Sequence, residues 1–147
     1  MPSKTTKPSG ERVAGELRLV LKKLIQRLRE QGNPAGLTLS QMVVLGRLER
    51  DGPATVSTLA RAEGMRPQSM GATVETLQVA GLVSGTPDPQ DGRQTILTLT
   101  AACRKMFREG RAAREDWLWQ AMQSHLSAEE RATLAQAVTL LQRIANS

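Results

Sequence analysis

One stretch limits the fold more than any other: VSGTPDPQDGRQTILTLT, Val83–Thr100. It reads as two short strands, Leu82–Thr86 and Gln94–Leu99, joined by a tip crowded with Pro, Asp and Gly. In the second strand Thr95, Leu97 and Leu99 share one face, and Gln94, Ile96 and Thr98 the other. The rest of the chain has helical period. A mainly α fold with one small β-hairpin is therefore expected, and the hairpin must stand among helices.

Helix boundaries follow from local chemistry. Glu11 to about Gln31 carries Leu17, Leu21, Leu24 and Leu28 at alternating steps of four and three, a narrow apolar seam, with Val20 and Ile25 beside it. GNPAG then breaks the helix. Thr38 and Gln41 have the spacing of a capping box, and Val44, Leu45 and Leu48 supply the buried face of the helix they open. Thr55 caps a short helix to about Glu63, and Gly64 turns the chain. Pro67 suits the first turn of the next helix, because its missing N–H would be unpaired there. Met70, Val74 and Leu77 turn inward along it, and Gly81 closes it. Thr100 caps a long helix to about Ser124. Ser127 and Glu130 form a second capping box, before a final helix whose seam is Leu134, Val138, Leu141 and Ala145.

At 147 residues the chain fits one domain. Phe107, Trp117 and Trp119 are its only aromatics, so the core is aliphatic. Cys103 is the single cysteine, which excludes an internal disulfide and any multi-cysteine metal site. No apolar run approaches membrane-spanning length, and MPSKTTKPSG has no apolar stretch behind its basic residues. A cytoplasmic protein without membrane contact is expected. Residues 1–10 read as a disordered basic arm. Net charge is +6 and the isoelectric point about 10.4, which suits a polyanionic partner.

Two short helices joined by a tight turn and followed at once by a polar-tipped hairpin make a winged helix-turn-helix arrangement. The helix-turn-helix spans about 55–80 and the wing about 82–99. With Met70, Val74 and Leu77 inward, Gln68, Ser69, Ala72, Glu75 and Thr76 face outward. Gln68 could read adenine bidentately, Ala72 could touch a thymine methyl, and Ser69 could take either role. Arg66, at the turn, suits a phosphate. An arginine at the wing tip, Arg93, suits the focused negative potential of a narrow minor groove. Asp91 could hold that guanidinium by a charge-assisted hydrogen bond.

LTLSQMVVLGRL, STLARAEGMRPQSMGATVETLQVAGLV and PDPQDGRQTILTLT resemble successive segments of the MarR family of bacterial transcriptional regulators. The most specific element is Asp91-Gly92-Arg93 leading to a strand that ends Leu99-Thr100. The resemblance implies a single MarR-type domain over 11–147. Residues 11–35 and 101–147 would supply dimerisation helices around a winged lobe, 36–100. It further implies a homodimer on a pseudo-palindromic operator of double-stranded DNA, acting as a ligand-responsive repressor. Family contacts map to Arg66, Gln68, Ser69, Ala72 and Thr76 on the recognition helix, and to Asp91 and Arg93 in the wing. The dimer interface maps to Leu17, Leu21, Leu24, Leu28, Leu134, Val138 and Leu141. A small-molecule effector is implied, with no residues assigned to it.

The chain departs from the family where relatives often carry Arg or Lys. Here those places hold Ala72, Thr76, Gln78 and Val79. Pro53–Thr100 has three arginines against four acids, whereas Met1–Ala35 has eight Lys or Arg against three acids. The basic surplus thus lies outside the reading head, and Lys4 and Lys7 of the arm are candidates for non-specific phosphate attraction. The acidic head also leaves open a winged-helix protein-interaction module without DNA binding. An enzyme is not expected: His125 is the sole histidine, and no nucleophile–base set or phosphate loop occurs. No cofactor or metal is expected. Cys103 reads as a small buried hydrophobe, although Arg104 and the helix start could lower its pKa. Met42, Met106 and Met122 read as core filler. Trp117 and Trp119, two apart on a helix, face different directions.

Overall fold

The computed structural model describes residues 9–33 and 35–147. Among these it has six helices and one three-stranded antiparallel sheet. In chain order they are α1 (Gly10–Gln31), α2 (Leu39–Asp51), β1 (Ala54–Thr55), α3 (Val56–Glu63), α4 (Pro67–Val79), β2 (Val83–Pro87), β3 (Thr95–Leu99), α5 (Ala101–His125) and α6 (Ala128–Ala145). The helices start where side chains can satisfy free amides. Ser9, Thr38, Thr55 and Ser127 each accept from the amide three residues on, and Gln41 and Glu130 return the bond to complete capping boxes. The predicted arm extends to residue 10, but α1 already begins at Gly10; Lys4 and Lys7 lie outside the described residues.

The chain divides into two compact units. One is the lobe, Asn33–Arg111. Its core gathers Val44, Leu45 and Leu48 of α2, Leu59 and Ala60 of α3, and Met70, Val74 and Leu77 of α4. Leu82, Val83, Leu97, Leu99 and Cys103 complete it. Burying a Leu, Val or Met side chain contributes about 1.5–3 kcal/mol. The lobe runs further into α5 than the predicted boundary at Thr100, because Cys103 is fully buried and Met106 and Phe107 pack on the same core.

The sheet order is β1-β3-β2. Sequence periodicity gave the hairpin but not β1, whose two residues pair Ala54 with Leu97 and Thr55 with Ile96. The hairpin register sets Val83 opposite Leu99 and Pro87 opposite Thr95. Gly64 (φ 64°) and Gly81 (φ 73°) take the left-handed conformation at the ends of α3 and α4, where a β-carbon would be strained. Thr100 locks the base of the hairpin. Its Oγ1 donates to the Gly81 carbonyl (2.7 Å) and accepts from the Cys103 amide (3.1 Å).

The second unit consists of α1, the remainder of α5 from Ala112, and α6. Here the Arg27 guanidinium sits 5.6 Å from the centre of the Trp117 ring, within cation–π range. Leu17, Leu24 and Leu28 of α1 and Leu134 and Leu141 of α6 are half-buried. Neither α1 nor α6 has a fully buried residue among those described. Val20, Ile25, Leu140 and Ile144 stand in solvent, Val20 at 60% and Ile144 at 63% exposed. The apolar face is thus wider than the predicted seam, within which Leu21 and Val138 are also exposed. No helix among the described residues is long and apolar enough to cross a membrane.

Candidate nucleic-acid interface

Helix α4 shows two opposite faces. Met70 and Leu77 are 0% exposed and Val74 is 3% exposed, which fixes its rotation. Gln68, Ser69, Ala72, Glu75 and Thr76 are consequently exposed on the other side, as the three-four spacing of the inner residues requires. Arg66 occupies the N-cap position and Pro67 begins the helix. The Arg66 side chain accepts nothing there, so no side-chain cap claims the leading amides of Gln68 and Ser69. An uncapped helix start with an exposed arginine beside it is electrostatically suited to an anion.

Thr76 is exposed but already engaged. Its hydroxyl donates to the Thr73 carbonyl (2.6 Å) and accepts from Gln41 Nε2 (3.0 Å). Gln41 therefore serves twice: its Oε1 accepts the Thr38 amide in the capping box, and its amide nitrogen ties α2 to α4. Thr76 is a strut between the two helices, a role that a contact 35 residues away in sequence could not announce. Farther along α2, Arg47 ties that helix to α3 through Glu63 and also bonds Asp51 of its own helix (3.0 Å). The hydrogen bonds that the Arg47 guanidinium donates to Glu63, and then to Asp51, push its pKa upward.

The wing tip is closed by its acids. The Asp88 amide donates to the Gln94 carbonyl and the Gln94 amide to the Asp91 carbonyl, both at 2.9 Å. Asp88 Oδ1 accepts the Gln90 amide (2.9 Å), and Asp91 Oδ1 accepts the Arg93 amide (3.1 Å). This corrects the expected role of Asp91. Its carboxylate holds the Arg93 backbone rather than its guanidinium, since a residue two positions ahead offers its N–H within a tight turn. Arg93 itself is exposed, and the ion pairs among the described residues do not include it. Gly85 lets the strands close: a β-carbon there would collide with the Thr95 methyl group.

Cys103 is fully buried, and burial followed by the nearby Glu49 charge raises its thiol pKa, against a smaller opposing effect of Arg104. It packs as a small apolar group. His125 is the exposed last residue of α5. Met106 packs against the lobe core, while Met42 and Met122 are half-buried. Of the two tryptophans, Trp117 is half-buried and Trp119 is half-exposed.

A family model described as MarR family matches residues 35–94. An uncharacterized HTH-type transcriptional regulator of Mycobacterium leprae is 31% identical over 133 residues, covering 90% of this chain and 92% of the relative. An HTH-type transcriptional regulator of Mycobacterium tuberculosis is 32% identical with the same coverage. A Pseudomonas aeruginosa transcriptional regulator of known structure is 35% identical, with a TM-score of 0.73 over 95% of this chain and 99% of that one. An E. coli MarR mutant crystallised with operator DNA shares the fold, with 22% identity, a TM-score of 0.57, and coverage of 88% of this chain and 92% of that one.

Proposed function

Since this chain belongs to the MarR family of transcriptional regulators, we propose that it is a ligand-responsive repressor that binds a pseudo-palindromic DNA operator as a homodimer. The observation that carries the reading is the outward face of α4, exposed from Arg66 through Gln68, Ser69 and Ala72 in the same lobe as the free Arg93 guanidinium. In this reading α4 enters the major groove, with Gln68 and Ser69 at base edges and Arg66 at a phosphate. Arg93 reaches the adjoining minor groove. Asp91 shapes the turn that presents it, and Thr76 holds the helix in place. Half-site centres would lie about 10 bp apart, one helical turn.

The homodimer draws support from α1 and α6, whose open apolar residues Val20, Ile25, Val138, Leu140 and Ile144 form the kind of face that a partner covers. E. coli MarR and a Staphylococcus aureus MepR mutant, both sharing this fold, were crystallised with DNA. The acidic balance of the reading head favours a second reading, a winged-helix module that contacts proteins. A fluorescence-anisotropy titration with the gene's own upstream DNA separates them. Saturable binding that outcompetes scrambled DNA supports the repressor. Equal affinity for both DNAs, or none, refutes it.

A further inference from the structure

Along its outward side α4 carries one line of residues. Gln68, Ala72, Glu75 and Val79 follow one another at steps of four, three and four, and all are exposed. The line lies opposite the buried Met70, Val74 and Leu77. Glu75 is the one charged residue between Pro67 and Val79. It is an acid on the side that would face a polyanion. The side-chain hydrogen bonds of α4 engage Thr73 and Thr76, and none of the ion pairs among the described residues includes Glu75. The carboxylate therefore does nothing visible for the fold, and against phosphate it is repulsive. A solvated helix face would account for its exposure, but not for its neighbours. Ala72 on the turn before it and Thr76 beside it are short, so the helix backbone can come close to base edges. Glu75 is then the side chain that reaches furthest from the middle of α4.

We propose that Glu75 selects a cytosine in each half-site of the operator, accepting a hydrogen bond from its N4 amino group in the major groove. An ionised carboxylate only accepts. Guanine shows it N7 and O6, and thymine shows it O4, all acceptors. Adenine sets its N7 acceptor beside the N6 donor. Cytosine offers a donor with no acceptor on its own edge. An acid at this place thus rejects three bases and takes one, so it specifies by repulsion as much as by attraction. Seven residues separate it from Gln68, a rise of about 10 Å at 1.5 Å per residue. The cytosine therefore falls up to about three base pairs from the pair that Gln68 meets. The contact needs α4 in the groove, so it rests on the repressor reading. It adds the base that the middle of the helix chooses, in a head where acids outnumber arginines.

The test is selection by the full chain from duplexes randomised over about 20 bp, two helical turns, with anisotropy titrations of the recovered duplex and a scrambled one. The wild type should recover a C·G pair in each half-site. Glu75→Gln should exchange it for A·T, because glutamine accepts from adenine N6 and donates to N7. Glu75→Ala should leave that position random. Both variants should melt like the wild type, since the side chain is exposed. A further arm needs no variant to fold. N4-methylcytosine at that position keeps the base pair but loses the N–H that faces the groove. It should cost the wild type roughly tenfold in affinity, and Glu75→Ala nothing. A recovered sequence that Glu75→Ala leaves unchanged overturns the assignment, as does an equal effect of the methyl group on both proteins. Equal tightening on recovered and scrambled DNA in both variants also overturns it, by showing an acid that merely repels. A wild type that recovers no sequence sinks the repressor reading and this contact together. A recovered sequence without a pair that depends on Glu75 sinks the contact and leaves the repressor reading standing.

Discussion

Arg93→Ala isolates the wing from everything else the lobe does. The side chain is exposed and outside the ion pairs of the described residues, so truncating it breaks none of them. Unfolding free energy should change by less than about 0.5 kcal/mol, the usual range for such surface sites. DNA affinity should fall much further. A hydrogen bond to a charged group is worth about 1.5–3 kcal/mol, which corresponds to roughly ten- to hundredfold in dissociation constant. The loss should also carry an electrostatic signature. If Arg93 neutralises one phosphate-derived charge, the slope of log affinity against log salt should become shallower by about 0.9. Anisotropy titrations at four or five salt concentrations measure both quantities. Asp91→Asn is the companion. Its amide oxygen can still accept the Arg93 N–H, so the turn survives while one negative charge near DNA disappears, and binding should hold or tighten. Asp91→Ala loses the acceptor and should weaken binding. An unchanged salt slope for Arg93→Ala, or Asp91→Asn as weak as Asp91→Ala, would refute this account of the tip.

Thr100→Val removes an N-cap acceptor and the bond to the Gly81 carbonyl, which should together cost about 1–3 kcal/mol in denaturant unfolding. A midpoint indistinguishable from wild type would show that the hairpin base is held elsewhere. Ile144→Glu and Val20→Glu place charge on open apolar positions of the helices outside the lobe. Sedimentation should show the dimer split in both variants with helix content retained, and an intact dimer in both would exclude this face. The Cys103 thiol has a folded pKa above the ordinary 9.0. The unfolded chain then gives up its thiol proton first, so stability is full below about 9 and falls as pH rises toward the folded value. Cys103→Ala should lack that alkaline decline, and native Cys103 should react slowly with a disulfide reagent at neutral pH. Rapid reaction without unfolding would contradict its burial.

What was legible in the sequence was local. Thr38 with Gln41, Thr55, Ser127 with Glu130 and Pro67 mark helix starts because each acts on backbone within a few residues of itself. The inward positions Met70, Val74 and Leu77 follow from period alone. What was not legible depends on distant partners. Two residues cannot display an alternation, so β1 exists only because Ile96 and Leu97 lie beside it. Thr76 looked like a free outer residue until Gln41 met it. On α1, period located an apolar stripe but could not divide it between cover within the chain and cover from outside.

Thr55 is at once a paired strand residue and the cap of α3. Bending the hairpin from its root would therefore pull that helix out of its seat. Compliance is left to the segment beyond Pro87 and Thr95, where the sheet pairing ends. Adjustment to grooves of differing width should fall on the few residues around Asp91 and Arg93, while the stem below moves with the helices as one rigid piece.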